Sequence, residues 1–146
     1  MVGLIGLGRP GLYLIERFTI SGPFRIVAAL TDPRVLDVVS PFGVRLVNHP
    51  RELFEAADVD VVWFAEHDAF RNNFAATDTF SGKHIIVETP LSLSVAIVDR
   101  AFREAARHNR LLLVRHPRRS DPDFRQALAI TQNQSLGAIH AARFVS

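Results

Sequence analysis

The sequence contains no cysteine, and this absence excludes disulfides, thiolate zinc sites and cysteine nucleophiles. A chain without cysteine suits a reducing compartment. Lysine is almost as scarce, because Lys83 is the only lysine among 17 basic residues and the others are arginine. Any chemistry that requires a lysine side chain therefore depends on this one residue.

Long apolar runs are also missing, and none reaches the roughly 20 residues that a membrane-spanning helix needs. The apolar N-terminus lacks the basic start of a signal peptide and carries Gly3, Gly6 and Gly8. The formal net charge of +2 is too small to indicate nucleic acid. With 48% hydrophobic and 22% charged residues in 146, we expect a globular cytoplasmic protein without nucleic acid, membrane or metal as partner.

The segment from Val2 to Gly11 joins a short apolar run to three glycines spaced as Gly6-x-Gly8-x-x-Gly11. The apolar run predicts a buried strand, and residues 12–18 predict a helix, so the glycines lie in the context of a dinucleotide-binding fingerprint. Gly6 allows the tight turn, Gly8 lets backbone approach a pyrophosphate, and Gly11 lets the helix pack on its strand. We therefore assign this loop to cofactor binding, with the residues Gly6, Leu7, Gly8, Arg9, Pro10 and Gly11.

Strand-like and helix-like segments alternate along the rest of the chain. The predicted strands are residues 24–30, 44–47, 61–65, 84–87 and 111–114, and the predicted helices are 35–39, 51–57, one capped by Asp68, one from Ser92 or Ser94 to Asn109, and 124–131. Helices that connect consecutive parallel strands place layers on both faces of a sheet. The fold class is therefore α/β, a three-layer, doubly wound, mostly parallel sheet of the Rossmann type, with its ligand crevice at the carboxyl ends of the strands.

Thr31 and Asp32 follow the second predicted strand, where a dinucleotide site places a carboxylate for the adenosine ribose. The alternative is that Asp32 caps the turn that the following proline opens. Arg34 lies close by and could accept a 2′-phosphate, so the cofactor is NAD or NADP. Thr31 and Asp32 are both candidate cofactor-binding residues.

Glu66 and His67 follow the strand at 61–65 and are expected beside the same crevice. A carboxylate at Glu66 would repel a pyrophosphate unless Arg9 or Arg71 compensates its charge. His67 is a candidate for proton transfer, and the alternative is an ordinary solvated or hydrogen-bonded loop histidine. Both residues are included in the candidate cofactor site.

The basic run at residues 115–119 has two interpretations. It could clamp a phosphate or carboxylate at the crevice, or it could be a solvated loop in which Arg119 pairs with Asp121 or Asp123. The run is short and contains no interleaved aromatic residue, so it does not indicate nucleic-acid binding.

Three segments together resemble the N-terminal half of the Gfo/Idh/MocA oxidoreductases. They are the glycine loop, the stretch Ser81-Gly82-Lys83-His84-Ile85-Ile86-Val87-Glu88-Thr89-Pro90, and Arg118-Arg119-Ser120-Asp121-Pro122. The resemblance implies an NAD- or NADP-binding domain that takes part in hydride transfer on a sugar, polyol or related substrate. It also implies a second domain that holds the substrate, and it adds Glu88 and Thr89 to the candidate cofactor site.

The sequence departs from this family at the residues that carry its chemistry. The family has Glu-Lys-Pro with the lysine near the nicotinamide, whereas this chain has Thr89, which cannot act as a general acid or base near neutral pH. Lys83 is expected at the start of the same strand, far from the ligand edge. The family's asparagine after the sixth strand is replaced by Pro117. The catalytic residues therefore stay unknown, and we interpret Glu88 and Pro90 as shaping the strand end.

In the family, the strand that corresponds to residues 139–145 opens the sheet of the second domain. We therefore divide the chain into a Rossmann domain at 1–134 and a remnant first strand of a missing C-terminal α/β domain at 135–146. Because an unpaired strand edge promotes association, we expect a homo-oligomer formed through this extra C-terminal strand.

Two functions follow from these observations. The first is the NAD(P)-binding domain of an oxidoreductase, incomplete for catalysis alone and with an unknown small-molecule substrate. The second is a non-catalytic nucleotide-binding or regulatory module, a pseudoenzyme that associates with itself. Thr89 and the altered loop at Glu66 and His67 favour the second function.

Overall fold

A computed structural model of the chain describes residues 1–30, 36–66, 82–133, 136–141 and 143. The chain divides into two compact units, Met1–Arg115 and His116–Ser146. The assignment of residues 135–146 to a second domain stays a prediction.

The described part of the first unit contains six strands and four α-helices, as predicted from the alternation of the sequence. They are β1 (Val2–Ile5), α1 (Arg9–Ser21), β2 (Ile26–Leu30), α2 (Leu36–Val39), β3 (Arg45–Val47), α3 (Pro50–Glu55), β4 (Val61–Phe64), β5 (His84–Glu88), α4 (Val95–Arg107) and β6 (Leu112–Arg115). A short 3-10 helix at Ser40–Phe42 continues α2. The helix predicted after Asp68 lies outside the described residues.

The six strands form one sheet in the order β3-β2-β1-β4-β5-β6. Every neighbouring pair is parallel, so the sheet predicted as mostly parallel is entirely parallel. The chain order of the strands reverses between β1 and β4, and such a reversal is where doubly wound sheets bind ligands at their carboxyl edge. The loop that follows β1 therefore starts at this point.

Helices cover both faces of the sheet, so both faces are buried. Successive side chains of a strand point to opposite faces, and one strand can therefore contribute to both cores. On β4, Val62 and Phe64 pack in a core that includes Leu53 of α3 and Ala101 of α4. The other core contains Trp63 of β4 with the α1 residues Leu14 and Ile15 and with Val39 of α2. One core lies on each face of the sheet, so the sheet and the helices on its two sides form the three layers that the sequence predicted.

Helix α4 shows how far the apolar pattern of a helix predicts its packing. Its predicted core face contains Val98, Ala101, Phe102 and Ala105. Ala101 and Ala105 are buried and Val98 packs against the same core, whereas Phe102 is 48% exposed. Ser94 is the N-cap residue, as expected, but its side chain makes no capping hydrogen bond. The small residues, rather than the aromatic one, let α4 approach the sheet.

The second unit contains a 3-10 helix at Pro117–Ser120 and α5 at Pro122–Gln132. Residues 139–141 and 143 belong to no strand, so the extra C-terminal strand predicted at 139–145 is wrong at these positions. A strand is stabilised by hydrogen bonds to a neighbouring strand, and an apolar pattern alone does not supply that neighbour. No helix in the described ranges is long and apolar enough to cross a membrane.

Candidate functional site

The glycine loop adopts the conformation that its spacing predicts. It connects the end of β1 to the start of α1, and Gly6 has a φ of +94°, which residues with a side chain rarely adopt. A Cβ on Gly11 would collide with the carbonyl oxygen of Gly6, so only glycine lets α1 pack this close to the turn. Leu7 is 8% exposed and anchors the loop in the core that includes α1.

Helix α1 presents its N-terminus at the carboxyl edge of the sheet. Gly8 is the N-cap residue and its carbonyl accepts the first helical hydrogen bond from Leu12 N, at 3.1 Å. The N–H groups of a first helical turn have no partner within the helix and attract anions. Pro10 lies in this turn and contributes no N–H, and the Arg9 side chain is exposed. The first turn of α1 therefore offers one backbone N–H donor fewer to an anion than a first turn without proline does.

The side chain of Glu66 lies directly over this loop. The Gly8 N–H donates to Glu66 Oε1 at an N···O distance of 2.5 Å. A Cβ added to Gly8 would lie 2.6 Å from the same oxygen, and a Cβ added to Gly6 would lie 2.9 Å from Glu66 Cδ. The sequence predicted a carboxylate near the loop, and the structure places it in the space that the two glycines leave open.

A charged cluster joins the ends of β4, β5 and β6. Arg115 Nη1 donates to both carboxylate oxygens of Glu88, at 2.9 Å each, and Trp63 Nε1 donates to Glu88 Oε1 at 3.1 Å. The guanidinium also lies over the indole ring, 5.7 Å from its centroid. The Glu88 side chain is only 13% exposed. Because its charge is paired and hydrogen-bonded, this carboxylate is stable away from water.

A small cavity of about 140 Å³ lies between the start of α1 and this cluster. It combines one acidic and one basic side chain with apolar and aromatic walls, as ligand sites do. Its lining residues are Pro10, Tyr13, Leu14, Ala65, Glu88 and Arg115.

Lys83 lies at the opposite end of β5 from the cavity. Its Nζ donates to the carbonyl oxygens of Ala56, at 2.7 Å, and Val59, at 2.5 Å. Lys83 and Thr89 are six residues apart along an extended chain, which spans roughly 20 Å at about 3.3 Å per residue. The prediction that Lys83 is far from the ligand edge is confirmed, and Lys83 cannot replace a lysine at position 89.

The candidate site residues fall into three groups. The glycine loop, Glu66 and Glu88 are brought to one edge of the sheet, and Thr89 directly follows Glu88. Thr31, Asp32 and His67 lie outside the described residues, so their assignments stay predictions. No group of three or more metal-ligating side chains occurs in the ranges that the structure describes.

The basic run at 115–119 was interpreted as one loop, and the structure divides it. Arg115 is the last residue of β6 and pairs with Glu88. Arg118, rather than Arg119, approaches Asp121, at 4.0 Å between exposed side chains. The sequence interpretation offered Arg115 only as part of a phosphate or carboxylate clamp, and it missed both the pairing of Arg115 with Glu88 and the contribution of Trp63. The available signal was that Glu88 and Arg115 each directly follow a predicted strand, at 84–87 and 111–114. The structure shows that these strands are neighbours and that the two residues form a register pair.

Comparison with known proteins agrees with this geometry. The family model described as "Oxidoreductase family, NAD-binding Rossmann fold" (GFO_IDH_MocA) matches residues 1–116. A myo-inositol 2-dehydrogenase of Thermotoga maritima is 29% identical over 149 residues, which cover 99% of this chain and 44% of that protein. The uncharacterized oxidoreductase YrbE of Bacillus subtilis is 24% identical and is also covered over 44% of its length. This chain therefore spans less than half the length of these curated relatives.

Solved structures show the same fold. The scyllo-inositol dehydrogenase of Lactobacillus casei, crystallised with NAD(H) and scyllo-inositol, superposes with a TM-score of 0.81 at 24% identity, covering 94% of this chain and 42% of that one. The myo-inositol 2-dehydrogenase of Lactobacillus plantarum gives a TM-score of 0.82 at 23% identity, with the same coverage. The fold and the nicotinamide dinucleotide expected from the glycine fingerprint are both confirmed at the level of the family. The chain belongs to the Gfo/Idh/MocA oxidoreductase family, and residues 1–116 match its NAD-binding Rossmann domain.

Proposed function

We propose that this chain is the cofactor-binding part of an oxidoreductase that moves a hydride between NAD or NADP and a polyol, sugar or related substrate. The observation that carries the proposal is the glycine loop between β1 and α1, placed where the strand order reverses and next to the cavity. Loop, helix N-terminus and cavity lie at one edge of the sheet, in the arrangement that dinucleotides require.

The residues of this chain have separate parts in the proposal. Gly6 and Gly8 let backbone approach the diphosphate, and the first turn of α1 supplies N–H donors. Glu88 and Arg115 form the polar wall of the cavity beside it. The nicotinamide, when bound, supplies the hydride acceptor or donor. Thr89 can donate a hydrogen bond but cannot exchange a proton near neutral pH, so this chain alone is incomplete for catalysis.

An inositol-like polyol is the substrate class that the relatives favour, because three of the similar proteins described above are named inositol dehydrogenases. A cytoplasmic location is part of the same proposal, because a chain without cysteine suits a reducing compartment.

The test is a titration of the whole chain with NADH and NADPH, followed by cofactor fluorescence and by thermal unfolding. A ligand at about 100 times its Kd adds roughly 2.7 kcal/mol of stability, which is a clear shift of the unfolding midpoint. Saturable binding of either cofactor supports the proposal, and comparing the two decides between NAD and NADP. If neither cofactor binds at millimolar concentration, the proposal is wrong.

A second function is a non-catalytic module that binds a dinucleotide and associates with itself. Two observations favour it, namely Thr89 at the family's lysine position and Glu66 on the glycine loop. Cofactor binding without turnover of myo-inositol, scyllo-inositol or related aldehydes and ketones would select this module. Its self-association is tested by measuring the mass in solution before and after removal of the residues that follow Gly137. An unchanged monomer in both cases would reject association through the C-terminal segment.

A further inference from the structure

The glycine loop already holds an anion that belongs to the chain itself. The Glu66 carboxylate accepts the Gly8 N–H at 2.5 Å, and hydrogen bonds from backbone N–H groups to carboxylates are among the strong ones. Its Cγ and Cδ each lie 2.9 Å from where a Cβ of Gly6 would be. Glu66 thus fills the room that the glycines provide on the ligand side of the loop.

A diphosphate bound to this loop would need the same room and the same donor. The close approach of backbone to a pyrophosphate is the reason for glycine at the position of Gly8. Gly8 has one N–H, and it cannot serve Glu66 and a phosphate oxygen fully at the same time. A carboxylate that stayed in place would also add a negative charge against the phosphates, at a distance where like charges repel strongly.

We propose that Glu66 controls access of a dinucleotide diphosphate to the glycine loop, by occupying the phosphate position until it rotates away. This inference rests on the proposed function and adds its regulation. Glu66 follows β4 directly after Ala65, and rotation about its side-chain bonds is enough to move the carboxylate off Gly8 without moving the strand. The apparent affinity for the cofactor is then the intrinsic affinity multiplied by the fraction of molecules in which Glu66 is displaced.

Three variants of the full chain separate the charge of Glu66 from its position. Glu66→Ala removes both the carboxylate and the side chain that fills the loop. Glu66→Gln removes the charge but keeps an oxygen that can accept from Gly8. Glu16→Gln is the matched control, because it changes the net charge by the same amount. Glu16 is exposed on α1, about 12 Å along the helix axis from Gly8.

Each variant and the wild-type chain are titrated with NADH by fluorescence and with inorganic pyrophosphate by calorimetry. We expect Glu66→Ala to bind both probes at least ten-fold more tightly than the wild type, and Glu66→Gln to lie between them. Glu16→Gln should match the wild type. Pyrophosphate tests the loop alone, because it needs neither the ribose nor the nicotinamide part of a site.

The outcomes distinguish this inference from the proposed function. Equal affinities of wild type and Glu66→Ala for both probes overturn the role of Glu66, even if NADH binds to both. A gain for pyrophosphate in Glu66→Ala, with no NADH binding by any variant, supports the role of Glu66 and overturns the proposed function. If Glu66→Ala binds neither probe, both are overturned.

Discussion

Arg115 Nη1 lies 2.9 Å from each carboxylate oxygen of Glu88, so that a single guanidinium nitrogen joins the ends of β5 and β6. The two residues are 27 positions apart in the chain and are register partners in the sheet. Trp63, on β4, donates to the same carboxylate, so side-chain hydrogen bonds connect the three neighbouring strands β4, β5 and β6 beside the cavity. The pair therefore stabilises the edge of the sheet that forms the candidate site.

Replacing Arg115 should destabilise the fold, because it leaves the mostly buried Glu88 carboxylate without its cation. We expect Arg115→Met to lower the free energy of unfolding by about 1–3 kcal/mol. Urea unfolding followed by the fluorescence of Trp63, the only tryptophan, measures this loss. Arg107→Met is the control, because Arg107 pairs with Glu104 on the surface of α4 and is 71% exposed, so its loss should stay below about 1 kcal/mol. Equal losses in the two variants would contradict the structural role of Arg115.

Two glycines of the loop should respond differently to alanine. In Gly11→Ala the new Cβ meets the backbone carbonyl of Gly6, which cannot yield without moving the turn, so we expect a loss of about 1–3 kcal/mol of stability. In Gly8→Ala the backbone is extended, with φ −65° and ψ −172°, and the Cβ meets only the tip of the Glu66 side chain. Gly8→Ala should keep the stability of the fold and lose at least ten-fold in NADH affinity.

Thermal unfolding and NADH titration of both glycine variants provide the comparison. A Gly8→Ala chain that binds NADH as tightly as the wild type would show that the diphosphate does not approach this residue closely.

Removal of the only lysine should affect stability and not cofactor binding. Lys83 donates to the Ala56 and Val59 carbonyl groups at the edge of the sheet opposite the cavity. We therefore expect Lys83→Met to lower the free energy of unfolding by about 1–3 kcal/mol and to leave the Kd for NADH unchanged. Denaturant unfolding and fluorescence titration give the two quantities. A weakened NADH affinity with unaltered stability would instead place Lys83 near the ligand.

Acid should remove the contribution that one surface ion pair makes to the stability of the fold. The guanidinium of Arg45 donates to both oxygens of Asp58, at 3.2 Å each, and this hydrogen bonding holds the pKa of the Asp58 carboxyl below its usual value. A lowered pKa in the folded state means that the pair stabilises the fold above the unfolded-state pKa of about 3.9 and that this contribution is lost as the pH falls further.

Melting temperatures measured between pH 6 and pH 3 test this dependence. The difference in melting temperature between the wild type and Asp58→Asn should shrink as the pH falls. Arg45→Met should show the same convergence with the wild type, because it removes the hydrogen bonds that lower the pKa of Asp58. A difference that stays constant down to pH 3 would contradict it.

The features that the sequence could predict are those set by residues close together in the chain. Alternating apolar segments gave the six strands, and the glycine spacing gave the turn, the left-handed Gly6 and the close packing at Gly11. These depend on local backbone geometry, which glycine and hydrophobic periodicity determine directly. The strand predicted at 139–145 was wrong at the described positions, because a strand needs a partner that local pattern cannot provide.

The sequence by itself determined the loop, the parallel sheet and the absence of a lysine at position 89. Only the tertiary structure decided which side chains interact at the ligand edge of the sheet. Glu66 accepts a hydrogen bond from Gly8, which is 58 residues away in the sequence, and Arg115 pairs with Glu88. Both contacts depend on the order and register of strands far apart in sequence, and on which way each side chain turns at the strand end. The fold brings such groups together because the carboxyl ends of parallel strands meet at one edge.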